Sequence, residues 1–346
     1  MLELSLYRTG YLAGEYDKSV YREKLEETYR GRQTDDYSTG GGFLNLFVPE
    51  ELSLMIGKGR CTMRDQSLLQ TICHNLISYA FHIPNSESIS VLLEPYADCL
   101  NAFIEKPSGI SFESMVLQCL AAFHPPTYVH SLMVAQITEC LCRHLIDYSP
   151  ELLAGVSGCC SREDVLEKAD EIVSLAYHAA LCHDFGKIMI IDTIFVYGRN
   201  LLDMEFSLIR THPKTGYEML KRYASTKAYA DVALGHHKWY DNSAGYPEDF
   251  DTSSSPLKPV IDLVLAADCL DAATDTVGRS YKKGRTLDDF LEDLKEGSGT
   301  RYAPWLYGLV SAPEVYADLE YLLSEGRENH YRSTYYLLMK MQQRCE

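Results

Sequence analysis

The sequence predicts an all-α protein, and three observations carry that reading. Apolar residues recur at three- and four-residue spacing through most of the 346 residues, the period of a helix with one buried face. Alternating strand-like runs between turn signals are scarce. Glycines and prolines interrupt the apolar pattern where connections between helices are needed. In the first third, residues 16–30, 64–81 and 87–103 read as helices, separated by Gly40, Gly41 and Gly42 and by Pro84, with Pro107 after the last. No phosphate loop or nucleotide fingerprint interrupts this stretch. A second block has helices over 111–123, 127–146, which carries His130, and 162–181, which delivers His183 and Asp184 at its carboxyl end. Ser161, with Asp164 three residues later, resembles a capping box at the start of the last of these. Helices over 202–224 and 228–236 lead to a polar loop, 240–255, rich in Asp, Ser and Gly. A helix over 257–274 carries Asp268, and amphipathic helices over 287–295, 313–325 and 331–344 follow. Pro107 and Gly109 break the pattern before the histidine-bearing block, so two domains are expected. Residues 1–108 form a helical N-terminal domain, regulatory or dimerising, and residues 109–346 form the second domain.

Composition narrows the function. With 46% apolar residues the chain can fill a core or two. A formal charge of −17 argues against a binder of nucleic-acid polymers, whose phosphate affinity comes from clustered Lys and Arg. A small anionic substrate drawn in by bound metal is compatible with this charge. The eleven cysteines are odd in number, spread from Cys61 to Cys345 and lack a CxxC pair, which suits free cytosolic thiols better than a disulfide framework. The amino terminus carries Glu3 and Arg8 without a continuous apolar stretch, so neither a signal peptide nor an anchor is expected. No later window approaches a membrane span, and the expected location is cytoplasmic.

The chemistry is carried by His130, His183, Asp184, His212, His236, His237 and Asp268. Together they supply enough imidazole and carboxylate ligands for two metal ions. With no cysteine at a ligand spacing, such a set suits iron, manganese or zinc, and two such ions can activate water and clamp a phosphodiester. At His183-Asp184-Phe185-Gly186-Lys187 the pair closes an apolar helix and glycine follows at once. Glycine lets the backbone turn, which would bring the Lys187 ammonium back over the metals to meet a phosphate oxygen.

The stretch from His183 to His212 resembles the HD-GYP family of metal-dependent phosphodiesterases of the HD superfamily. His183-Asp184-Phe185-Gly186-Lys187-Ile188 is followed by Asp192 and by Thr211-His212-Pro213-Lys214-Thr215-Gly216, then Gly235-His236-His237 and the tripeptide Gly245-Tyr246-Pro247. Asp268-Cys269-Leu270-Asp271-Ala272 looks like the family's final ligand motif, and His130-Ser131 like its opening one. The resemblance covers residues 126 to 285 and implies an HD-superfamily helical bundle. It implies a first metal on His130, His183, Asp184 and Asp268, with Asp184 bridging to a second on His212, His236 and His237. Fe or Mn are the first choices, with Zn, Ni and Mg as alternatives. It further implies hydrolysis of cyclic di-GMP to linear pGpG by a dimetal-activated water, as in bacterial signalling. Lys187 and Asp184 would act in catalysis, while Gly245, Tyr246, Pro247, Arg279 and Lys282 would meet the substrate.

This chain also departs from the family. Lys238 replaces the usual Glu after the double histidine, and one extra residue, Ala244, precedes Gly245. The lysine that follows HDxGK falls on Tyr197, with Arg199 close by, and the Arg-x-Tyr clamp appears at Arg279-Ser280-Tyr281-Lys282 as if two residues were inserted. Pro126 stands where a third metal would want a carboxylate, so two metals and cleavage of one bond are expected. The alternatives are a dimetal phosphohydrolase for another nucleotide or phosphoester, and a catalytically weak cyclic-dinucleotide receptor. Expected partners are thus a cyclic dinucleotide or other small phosphoester, with a homodimer as a further option. His74, His82, His124, His144, His178 and His330 read as ordinary core or surface histidines, and the acidic run 288–296 as a solvated face.

Overall fold

A computed structural model describes residues 111–190, 201–278 and 284–343, together with Glu15, Val20 and Glu23. The helices expected over 16–30, 64–81 and 87–103 lie outside the described residues. The chain divides between Ser111 and Phe112, and the unit that begins at Phe112 is the one considered below.

Among the described residues the regular structure is helical, with isolated bridges at Lys238–Gly245 and Ser298–Tyr302. The helices are α1 (Phe112–Phe123), α2 (Pro125–Tyr148), α3 (Arg162–Glu167), α4 (Ala169–Cys182), α5 (Asp203–Ile209) and α6 (His212–Leu220). They continue with α7 (Ala230–Gly235), α8 (Lys258–Thr274), α9 (Leu287–Glu296), α10 (Leu306–Val310), α11 (Pro313–Tyr321) and α12 (Arg327–Gln343). No helix of the described residues is long and apolar enough to cross a membrane.

Helix α2 is the hub. Pro125 and Pro126 fill its first positions, where no N–H is needed, and His124 caps it by accepting from the Thr127 N–H at 3.2 Å. Val129, Met133, Val134, Ile137, Leu141 and Leu145 recur at helical spacing and are buried. They pack against α4 and α8, and α2 also touches α1, α11 and α12. Helix α8 is apolar almost all round from Val260 to Leu270, as suits a helix inside the core. Each such Leu or Val withdrawn from water contributes on the order of 1.5–3 kcal/mol.

Three expected helices are divided. The helix expected over 162–181 breaks at Lys168, whose backbone leaves helical angles while its ammonium donates to the Ser157 carbonyl at 2.9 Å. The capping box of Ser161 and Asp164 starts α3 as expected. The helix expected over 202–224 breaks between Ile209 and His212 and ends at Leu220. Pro213 at the start of α6 cannot donate, and the His212 ring takes the Ile209 carbonyl. The helix expected over 313–325 ends at Tyr321 in a wider turn, Leu322–Gly326, and α12 begins at Arg327. Helix α10, with Leu306, Leu309 and Val310 buried, was not anticipated, being too short for a periodic signal. Cys140, Cys142, Cys159, Cys160, Cys182 and Cys269 are free thiols.

Candidate metal centre

Five elements converge on one buried point. Helix α2 supplies His130, and the end of α4 supplies His183 and Asp184. The N-terminus of α6 supplies His212, the residues after α7 supply His236 and His237, and α8 supplies Asp268 and Asp271. His183, Asp184, His212 and His236 are fully buried, and His130 and Asp268 nearly so. The seven ligands expected from the sequence are therefore brought together.

Asp184 lies at the middle. Its Oδ2 is 3.5 Å from His130 Nε2 and 3.4 Å from His183 Nε2, while its Oδ1 is 3.1 Å from His212 Nε2 and 3.8 Å from His236 Nε2. Asp268 reaches both sides, with Oδ1 3.0 Å from His130 Nε2 and Oδ2 3.6 Å from His237 Nδ1. Two sets of ligand atoms emerge, His130 with His183 and Asp184, and His212 with His236 and His237, each within 4.8 Å.

Hydrogen bonds fix how the rings point. His183, His212 and His236 donate Nδ1–H to the carbonyls of Ala180, Ile209 and Ala233, three residues earlier, at 2.6, 2.6 and 2.8 Å. Each therefore turns an Nε2 lone pair inward. His212 Nε2 and His236 Nε2 then face each other at 3.2 Å as two acceptors, an arrangement that a cation between or beside them reconciles. His130 Nε2, His183 Nε2 and Asp184 Oδ1 are likewise buried without a hydrogen-bond partner. Buried polar atoms left in this state are costly, so the donor set fits metal ions and fits an empty polar pocket badly.

Electrostatics differ across the centre. Burial pushes His236 well below the usual imidazole value, helped by the neighbouring histidines, and pushes His237 down to about 3 against the pull of Asp268. Burial lowers His212 as well, despite its bond to Asp184. For His130 burial is outweighed by Asp268 and Asp271, and its value rises to about 9. Burial opposes ionisation of Asp184 and Asp268, yet the nitrogen groups around them, His183 and Lys187 for the first and His130 and His237 for the second, hold both well below the carboxylate range.

Asp271 is a member of the site that sequence reasoning left without a role. Its Oδ2 accepts from His130 Nδ1 at 2.6 Å, and its Oδ1 accepts from Arg327 at 2.8 Å. Arg327, on α12, also donates to the Thr274 carbonyl and hydroxyl. The available signal was the three-residue step from Asp268 to Asp271, one turn along the same face of α8.

Gly186 plays a part other than the expected backbone turn. Its φ is not in the left-handed region, and a Cβ there would lie 2.0 Å from the His212 carbonyl oxygen and 2.7 Å from the Gly216 nitrogen. Glycine is needed because the segment Phe185–Ile190 lies directly on α6. Lys187, on that segment, donates to Asp184 Oδ2. Gly245 has φ +85°, and a Cβ would lie 2.1 Å from the His237 carbonyl oxygen. That close approach sets Tyr246 against His237, with ring centroids 4.5 Å apart. Lys238 is buried, and its backbone pairs with Gly245 across the same turn. Arg279 and Lys282, expected to meet the substrate, and Asp192, Tyr197 and Arg199 lie outside the described residues.

Comparison with known proteins agrees with this geometry. Residues 127–273 match the HD domain family. Over 158 residues the chain is 33% identical to a cyclic di-GMP phosphodiesterase response regulator of Xanthomonas campestris, covering 44% of this chain and 39% of that protein. A cyclic di-GMP phosphodiesterase of Pseudomonas aeruginosa is 30% identical over 192 residues, 55% of this chain and 40% of its own length. Another, from Thermotoga maritima, is 34% identical over 128 residues, 36% of this chain and 33% of its own length. The chain thus spans about two fifths or less of the length of these relatives. The match to the HD domain family over 127–273 contains every candidate ligand from His130 to Asp268.

Proposed function

We propose that the chain is a metal-dependent phosphodiesterase that hydrolyses cyclic di-GMP to linear pGpG. The observation that carries the reading is the fully buried Asp184, whose two oxygens face two separate sets of imidazoles. The names of the relatives support the substrate. Two divalent ions held there, iron or manganese by first choice, would lower the pKa of water and stabilise charge developing on a phosphodiester. His130, His183, Asp184 and Asp268 would hold the first ion, and His212, His236 and His237 the second, with Asp184 common to both.

The protein's own residues set the rest. The carbonyl-anchored imidazoles keep their Nε2 atoms aimed inward, so that ligands need little reorganisation. Lys187, with its side chain 15% exposed beside Asp184, is the cation through which a substrate phosphate would be held. Tyr246, stacked on His237, would border the substrate rather than react with it.

Anaerobically purified protein, assayed for metal content and for cyclic di-GMP turnover by chromatography, tests the reading. Two ions per chain with a linear dinucleotide product are expected, and two ions with no turnover would overturn the substrate. In Lys187→Ala, turnover should fall with metal content unchanged, whereas loss of metal would make Lys187 structural. A second reading, another phosphoester or a receptor role, is favoured by Lys238, a buried lysine at the turn that borders His237. Turnover compared across several dinucleotides and mononucleotides separates the two.

A further inference from the structure

We propose that Cys140, His144 and Asp318 form a second metal site, distinct from the histidine–aspartate centre and suited to a zinc-like divalent ion. Cys140 and His144 are one turn apart on α2 and so share a face. Asp318 comes from α11, and its Oδ2 lies 2.9 Å from His144 Nε2. The thiol sulfur, an imidazole nitrogen and a carboxylate oxygen all lie within 4.8 Å of one another. Tetrahedral zinc with ordinary bond lengths places its ligand atoms roughly 3.3–3.6 Å apart, so side-chain rotation of about an ångström would complete the set.

The helix pair is already in register for such a site. One turn further along α2, Tyr148 donates to Glu314, which lies one turn back along α11. The two contacts form an antiparallel ladder, and the Tyr148 ring stacks on His144 with centroids 6.0 Å apart. The His144 side chain is 19% exposed and that of Asp318 59%, so an ion can enter from solvent and keep a water as fourth ligand, as three-ligand zinc sites do. His130 is ten residues back along α2 from Cys140, about 15 Å at the helical rise. The two sites therefore do not share ligands.

Their chemistry differs as well. The centre offers only nitrogen and oxygen, whereas this set adds a thiolate, which selects softer ions. Binding would displace the Cys140 thiol proton to solvent without change of oxidation state. The bound ion would tie α11 to the helix that carries His130.

Cobalt(II), added to the full chain after dialysis against a chelator, reads the site directly, because thiolate-to-cobalt charge transfer absorbs in the near ultraviolet and nitrogen and oxygen ligands do not produce that band. The band should appear in the wild type and in Asp184→Ala, and should vanish in Cys140→Ser. In Asp318→Asn, a change on an exposed side chain, cobalt affinity should fall on the order of tenfold or more, by analogy with the loss of a supporting ligand group. Cyclic di-GMP turnover in Cys140→Ser should be unchanged. Absence of the band in the wild type, its survival in Cys140→Ser, or indifference to Asp318→Asn would each overturn the site.

Discussion

The two halves of the candidate metal centre are buttressed in different ways. Around Asp184, the half that contains His130 is backed in part by carboxylate, since Asp271 takes the far nitrogen of that ring and Arg327 in turn holds Asp271, while His183 beside it uses the Ala180 carbonyl. The half that contains His212 and His236 is backed by backbone carbonyls of residues three positions earlier. A carboxylate behind an imidazole makes it hold a proton more tightly, and a carbonyl does so far less. His130 accordingly rises to about 9, while burial brings His237 down to about 3. The His130 ring is poised by a chain of charges that spans the fold, and His183, His212 and His236 by local helix geometry.

The most damaging test of this division is Asp184→Ala, which removes the one group common to both halves. Both ions should be lost while the far-ultraviolet circular dichroism stays that of the wild type; retention of either ion would break the picture of a shared carboxylate. Asp271→Asn should act on one half only, weakening the first ion about 10–100-fold, as removal of an outer partner usually does, and sparing the second. Equal loss of both ions in a metal titration would erase the distinction. Gly245→Ala addresses the opposite half. A side chain at φ +85°, with its Cβ 2.1 Å from the His237 carbonyl, should cost about 1–3 kcal/mol in denaturant unfolding and preferentially loosen the second ion.

The smallest effect concerns pH. In the metal-free protein the contribution of His130 is complete below its ordinary value of 6.5 and is lost as pH rises through about 9. His237 stays neutral down to about 3, so folding loses stability as pH falls from 6.5, where the unfolded chain begins to take up the proton that the folded chain refuses. From these two groups Tm should peak near pH 6.5. In Asp271→Asn the alkaline limb should flatten and the acid limb persist, and a change confined to the acid limb would contradict the assignment.

The contrast also marks what the sequence could show. The carbonyl-anchored histidines His183 and His236 sit in compact motifs, His183-Asp184 and His236-His237, at helix ends where ring and carbonyl are close in the chain, and such clustering is legible in a sequence. The ends of α8 and α9 and the capping box at Ser161 were legible for the same local reason. Asp271 was not, because its meaning depends on His130 and on Arg327, which are distant in the chain. The break at Lys168 has no local signal, because a bond to Ser157, eleven residues away, overrides an unbroken helical pattern. Cys140 and His144 read as an ordinary thiol and an ordinary histidine until α11 brings Asp318 beside them. His124 caps the helix that carries His130.

The bond from Arg327 to Asp271 has a consequence for how the molecule is made. His130 leaves the ribosome long before Arg327 is synthesised, a delay of about ten seconds or more at 5–20 residues per second. During that interval every metal ligand has been translated, yet the residue that steadies the first of them has not. An ion captured early would meet an unsupported ring, so the order of synthesis would defer full occupancy of the proposed centre until α12 has docked.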